Sequence, residues 1–155
     1  MSKSVKRVQQ ALSEAGITAD IVEVGQARTA AEAAEAAGCH VHQIAKSIIF
    51  QDQNSGHVVL FLTAGGNRVS SEKASAVAGA TLGKADADLI RAETGFAIGG
   101  VAPVGHLVPI RAYWDPKLSE FDTIWAAAGT PRHIFPIAPK DLLRITGATP
   151  ADFTV

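Results

Sequence analysis

Lys46 interrupts IAKSIIF, residues 44–50, a run otherwise suited to a buried strand. A cation there has two readings. Either its stem packs at the strand's start while its ammonium reaches water, or the ammonium sits at a pocket mouth and meets a phosphate or carbonyl oxygen. Further along, FAIGGVAPVGH at 96–106 sets Gly99, Gly100, Pro103 and Gly105 among small apolar residues. That mixture suits neither helix nor strand. It is either a tight turn serving only packing or a place where bare backbone is needed. Glycine lets the chain approach a ligand closely, and several N–H groups in one concavity stabilise negative charge.

Other candidates carry less. Cys39-His40-Val41-His42 offers metal-ligand types, but a closed zinc site needs about four ligands and no second cluster supplies the rest. It reads as a loop after a helix stop at Gly38. GVAPVG lacks the Lys and Ser/Thr of a phosphate-binding loop, and no GxSxG elbow occurs, so nucleophilic serine chemistry has no support. His57 at a hairpin end and His106 after the glycine stretch show no carboxylate partner in sequence, and His133 in AAGTPRHIFPI, near a strand, reads as a packed or hydrogen-bonded histidine rather than a catalyst. Asp86, Asp88 and Glu93 read as a solvated helical face, with Asp86 near the positive end of the helix dipole. Arg68, Lys73, Lys84 and Arg132 are either local phosphate contacts or scattered solubilising charge.

These residues need elements to hold them. Val5, Val8, Leu12 and Ala15 recur at helical spacing before Gly16. ADIVEVG predicts a short strand. Thr29 and Glu32 form a capping box ahead of AAEAAEAAG. IAKSIIFQ and HVVLFLTAG flank the polar turn DQNSG, which predicts an antiparallel hairpin. SSEKASAVAG and DADLIRAETG predict two more helices, the latter closed by Gly95. VPIRAYWD, TIWAAAG and HIFPIA predict three strands, and APKDLLRITG a last helix with Pro139 in its first turn. Without regular β-α-β alternation, the order predicts an α+β fold, a mixed, largely antiparallel sheet flanked by helices. With no repeat, low-complexity run or linker, residues 1–155 read as a single domain.

Composition narrows the class. The chain has 155 residues, 47% of them hydrophobic and 19% charged, as in an ordinary globular protein with its own core. Fourteen Lys and Arg against 15 Asp and Glu leave a net charge of −1, too little for a non-specific nucleic-acid coat but compatible with a small basic site for an RNA end. Cys39 is the one cysteine, so no intrachain disulfide forms. No window has the ~20 apolar residues of a membrane span, and the amphipathic N-terminus is not a signal peptide. A cytoplasmic protein without membrane attachment is the simplest expectation.

AKSIIF at 45–50 and GGVAPVG at 99–105, in this order, resemble the YbaK/prolyl-tRNA synthetase-associated editing domain family. The first is similar to that family's strand-lysine motif. The second is similar to its glycine-x-x-proline-x-glycine loop, carried by Gly100, Pro103 and Gly105. The resemblance extends over most of the chain, to TIWAAAG, HIFPI and the last helix. It implies a mixed-sheet α+β fold and an aminoacyl-tRNA deacylase without metal or other cofactor. The partner it implies is the 3′ end of an aminoacyl-tRNA, with an aminoacyl-tRNA synthetase as a possible second one; it leaves the oligomeric state open.

Under this resemblance Lys46 binds the terminal phosphate or carbonyl region, and the backbone of Gly100, Val101 and Gly105 lines the oxyanion side, with Pro103 fixing the bend. Water held by the ribose hydroxyl or a backbone carbonyl is the nucleophile. A cysteinyl ester has its own thiol as an alternative. Ser47 reaches the same pocket or faces the core. Ile98, Val101 and Ala102 are the expected walls of a small pocket, and His133 the residue for substrate choice. The expected substrate is a mischarged small amino acid, Ala, Ser, Thr or Cys, on tRNA for proline. One methylene is worth only ~1–3 kcal/mol of discrimination, so a synthetase's near-isosteric errors need a second sieve. Two departures count against Cys: Ala102 stands where many relatives have serine, and GTPRHIF replaces the Lys- and Gly-rich bend of the cysteine-specific relatives. The alternatives are a non-catalytic tRNA- or nucleotide-binding module of the same fold, a hydrolase of small acyl esters or thioesters, and a subunit docking on a synthetase.

Overall fold

The computed structural model describes residues 2–155. Among these residues, five α-helices surround one mixed sheet of eight strands. Helix α1 (Lys3–Glu14) is capped by Ser2 and buries Val5, Val8 and Leu12, the stripe its spacing dictates. Strand β1 (Val22–Glu23) precedes α2 (Ala30–Ala37), which Thr29 caps and Gly38 ends in the left-handed region at φ 73°. A 3₁₀ turn, Val41–Gln43, leads into β2 (Ile44–Asp52), and β2 returns through its hairpin as β3 (Val58–Ala64). Helix α3 (Ser71–Ala78), strand β4 (Leu82–Lys84) and helix α4 (Ala87–Thr94) follow. Asp86 caps α4 by accepting from Leu89 N at 2.8 Å. After the glycine-rich stretch come β5 (Arg111–Trp114), a 3₁₀ helix at Pro116–Glu120, β6 (Ile124–Ala127), β7 (His133–Ile137), α5 (Pro139–Thr146) and β8 (Thr149–Pro150).

The order across the sheet is β1-β7-β6-β2-β3-β5-β8, with β4 also on β2. Pairings β1–β7, β7–β6, β2–β3 and β2–β4 are antiparallel, whereas β2–β6, β3–β5 and β5–β8 are parallel. The fold is the mixed α+β sheet the sequence predicts. Strands β4 and β8 are additions that the sequence reading lacks. They hold three and two residues, too few to display a period.

Alternation along β2 and β3 divides the interior. Ala45, Leu60 and Leu62 face the main core with Phe96, Val101, Ala102 and Trp114, roofed by α1, α4 and α5. Val59 and Phe61 face a second cluster with Tyr113 and Phe153, against which α3 sets Ala74 and Ala78. The alanines of α2 pack on Ile44 and Trp125.

The site that the elements build

One edge of β2 is interrupted. Toward β3 it is paired from Ala45 to Gln51. On the other edge β6 pairs it only at Ile44 and Ala45, and β4 only from Phe50 to Asp52. Among the described residues, no strand pairs with residues 46–49 on that side. A cavity of about 810 Å³ opens there, lined by Lys46, Ser47, Ile48 and Ile49. It falls within the range of small-molecule sites.

Lys46 enters from β2. Its Nζ donates to Asn67 O at 2.5 Å and Gly65 O at 3.3 Å, in the turn after β3. That turn is itself tied down: Asn67 Nδ2 donates to Asp115 Oδ2 at 2.9 Å, and the buried Asp115 carboxylate also accepts from Ala64 N at 3.0 Å. Burial lowers the Lys46 pKa from its ordinary value, Asp115 opposes that shift, and Arg68 adds to it. The ammonium has three donors, of which the two carbonyls engage two. Arg28 and Lys84 also line the cavity, and among the described lining residues there is no Asp or Glu. The cavity is therefore suited to an anionic or charge-developing ligand.

The glycine-rich stretch divides between two places. Its first half, Ile98, Gly99 and Val101, lines the Lys46 cavity. Gly100 is buried behind it, and its N–H donates to Ala97 O at 3.1 Å. A Cβ on Gly100 would lie 2.6 Å from Thr130 Cα, so the missing side chain lets this loop lie flat on the β6–β7 turn. The second half turns away. Pro103 and Gly105 line a separate hollow of about 460 Å³ beneath α1 and α5. Gly105 O accepts from Arg7 Nε at 2.9 Å, Gly95 O from Arg7 Nη2 at 2.7 Å, and the same guanidinium lies 4.4 Å from the Phe96 ring centroid. Ala102 is fully buried in the main core and does not line the cavity. The glycine loop thus supplies one wall of the cavity, not a complete cradle, because its far end is held against α1.

His133 lines the cavity from β7, with Thr130 and Pro131 beside it. Its Nδ1 lies 2.6 Å from Thr130 Oγ1, which also accepts from Arg132 N at 3.1 Å. That contact fixes the ring's orientation at the cavity wall. Ile98 is 59% exposed at the rim. Ser47 lines the cavity as well, and its Oγ is buried without a hydrogen-bond partner. The cavity is roomier than the small pocket expected, because it runs through the break in the sheet and draws on residues from both faces.

Two readings of exposed charge change. Glu93 is not part of a solvated face: its carboxylate accepts from Val58 N at 2.8 Å and pairs with His57 Nδ1 at 2.6 Å, clamping α4 to the hairpin. His57 therefore has a carboxylate partner, 36 residues away in sequence. Lys73 pairs with Asp152 at 3.2 Å. Among the described residues no cluster of His, Cys, Asp or Glu is arranged for a metal. Burial pushes the Cys39 thiol up, away from a reactive thiolate. The sequence reading missed Arg28, Thr130, Pro131 and the Gly65–Asn67 carbonyls. A Gly-Gly-Asn run directly after a buried strand is the one local signal for the last of these.

Comparison with known proteins agrees with this architecture. Residues 24–145 match the family described as the aminoacyl-tRNA editing domain. The chain is 30% identical over 114 residues to the uncharacterised protein YwhH of Bacillus subtilis (strain 168), covering 74% of this chain and 72% of that one. A solved structure described as a candidate trans-editing enzyme for prolyl tRNA synthetase superposes with TM-score 0.93 at 45% identity, covering 100% of this chain and 99% of its own. The hypothetical protein APE2540 superposes with TM-score 0.86 at 27% identity, over 96% and 99% of the two chains. With the lysine strand, the glycine loop and the cavity between them all inside the matched span, the chain belongs to the aminoacyl-tRNA editing domain family.

Proposed function

We propose that this chain is a free-standing trans-editing deacylase that hydrolyses the ester of a mischarged small amino acid on tRNA for proline. Alanyl, seryl and threonyl esters are the leading substrates, with cysteinyl the least favoured of the four. The observation that carries the reading is the cation-lined cavity at the break in β2, with no carboxylate among its described lining residues. An aminoacyl ester is already activated. The protein has mainly to position it and stabilise the negative charge that develops on its carbonyl oxygen.

In this reading Lys46 gives its third N–H to the terminal phosphate or the carbonyl region. Val101 lines the oxyanion side, while Gly100 and Gly105 hold the two ends of the loop that presents it. Water is the nucleophile, oriented by the ribose hydroxyl or a backbone carbonyl. Ile98 covers the rim, and His133, fixed by Thr130, faces the amino-acid side chain and sets which ester fits. Pro103 and Ala102 shape the loop from behind. A cytoplasmic location, a single working domain over 1–155 and transient contact with a synthetase accompany this function.

Incubation with a panel of tRNAs for proline charged with Ala, Ser, Thr, Cys or Pro tests it. Loss of at least one wrong ester well above the spontaneous rate, with prolyl-tRNA spared, is expected. Binding without ester loss indicates a non-catalytic module, and equal turnover of a free acyl ester indicates a general hydrolase.

A further inference from the structure

The break in β2 leaves one residue's peptide group conspicuously unused. Ser47 stands opposite Leu62 in the β2–β3 pair. Leu62 O accepts from Asp115 N at 2.9 Å, so Leu62 turns its peptide groups toward β5. Directly opposed antiparallel residues turn their peptide groups both inward or both outward. Ser47 N–H and C=O therefore point away from β3, onto the edge where pairing with β6 has ended at Ala45 and pairing with β4 begins only at Phe50. The Ser47 hydroxyl is buried and unpartnered as well. Buried polar groups in folded proteins are nearly always paired, so an unpaired set at a cavity wall marks where a ligand completes the pairing. The ligand is one that accepts hydrogen bonds, given the Lys46, Arg28 and Lys84 lining.

We infer that Ser47 is a catalytic residue, its peptide N–H and its hydroxyl being donors to the ester carbonyl oxygen. The inference rests on the deacylase reading and adds a donor that the glycine loop does not supply, since Gly100 N–H is spent on Ala97 and Gly105 faces the other hollow. Ser47 and Val101 share the main-core face of the sheet, so the carbonyl oxygen is held between strand and loop. In the step, water oxygen bonds to the carbonyl carbon and the π pair moves onto the oxygen held by Ser47. Collapse then re-forms the C=O and breaks the bond to the ribose 3′ oxygen, which leaves with the proton the water gives up. Donors placed for the charged oxygen act on the transition state more than on the bound ester.

The test replaces each donor separately. Ser47→Ala removes the hydroxyl, Ser47→Thr restores it on a strand-favouring side chain, and an amide-to-ester replacement at residue 47 removes the N–H, weakening in the ladder only the Lys46 carbonyl as an acceptor toward Thr63. On alanyl-tRNA for proline, kcat is expected to fall about 10-fold in Ser47→Ala and about 100-fold in the backbone ester, with KM nearly unchanged and Ser47→Thr near wild type. A parallel binding measurement uses two inert analogues of 3′-alanyl adenosine, a tetrahedral phosphonate and a planar amide. The wild type is expected to prefer the phosphonate at least 10-fold, and Ser47→Ala to lose most of that preference. Unchanged kcat in both folded variants, a rise in KM alone, or no preference for the phosphonate would each overturn the role of Ser47. If the phosphonate preference holds but no mischarged tRNA is hydrolysed, the deacylase reading falls while Ser47 remains an anion-binding donor.

Discussion

The two halves of the glycine-rich stretch obey different physics. Residues 98–101 form a wall of the Lys46 cavity, held there because Gly100 has no side chain to collide with Thr130. Residues 103–106 are fastened under α1: Arg7 binds Gly105 O, and His106 Nε2 lies 2.7 Å from Ala102 O. Gly105 needs the left-handed region at φ 79°, whereas Gly100 needs only the absence of a Cβ. One motif thus combines a contact wall with an anchor. The glycines let the wall stand where it does, and in the proposed deacylation the donors come partly from the broken strand opposite.

The largest effect that sharpens this contrast is at Gly100. Gly100→Val forces a branched side chain into the Thr130 backbone and is expected to cost about 3 kcal/mol in urea unfolding and to abolish turnover. Lys46→Ala comes next and separates function from fold. Deacylation is expected to fall about 100-fold, while stability changes by less than about 1 kcal/mol, because a half-buried cation with a lowered pKa adds little to folding. On the anchoring side, Arg7→Met loses two carbonyl contacts and the stacking on Phe96. It is expected to cost about 2 kcal/mol in thermal unfolding, with kcat much less affected than by Lys46→Ala.

The smallest effect is a pH dependence belonging to the anchor. Burial lowers the His106 pKa from 6.5, the Ala102 carbonyl opposes that, and Arg7 adds to the lowering. Below pH 6.5 the unfolded chain takes up a proton that the folded one still refuses. Stability is therefore fully present above that pH and declines as pH falls toward the folded-state value. His106→Gln is expected to flatten that slope in urea titrations carried downward from pH 6.5. An unchanged slope would remove His106 as its source.

Much of the local structure was legible in sequence. The polar DQNSG turn between two apolar runs fixes the β2–β3 hairpin, and Thr29, Asp86, Gly38 and Gly95 stand at the helix ends their chemistry predicts. Lys46 was legible as an odd cation in an apolar strand. Where β6 stops pairing with β2 was not, since it depends on strands about 80 residues apart whose registers no local pattern encodes. The split of the glycine stretch depends on Arg7, 98 residues from Gly105, and was equally invisible. Glu93 reads as surface charge because its partners, His57 and Val58 N, approach only in the folded sheet.

Titrating the isotope-labelled protein with a non-hydrolysable 3′-alanylamide of adenosine, and following backbone amide shifts, tests the choice of cavity most directly. The account predicts shifts at Lys46, Ser47, Ile49, Gly99, Val101 and His133, with Gly105 to Val108 unmoved. Shifts confined to the hollow around Gly105, with the β2 edge silent, would contradict it.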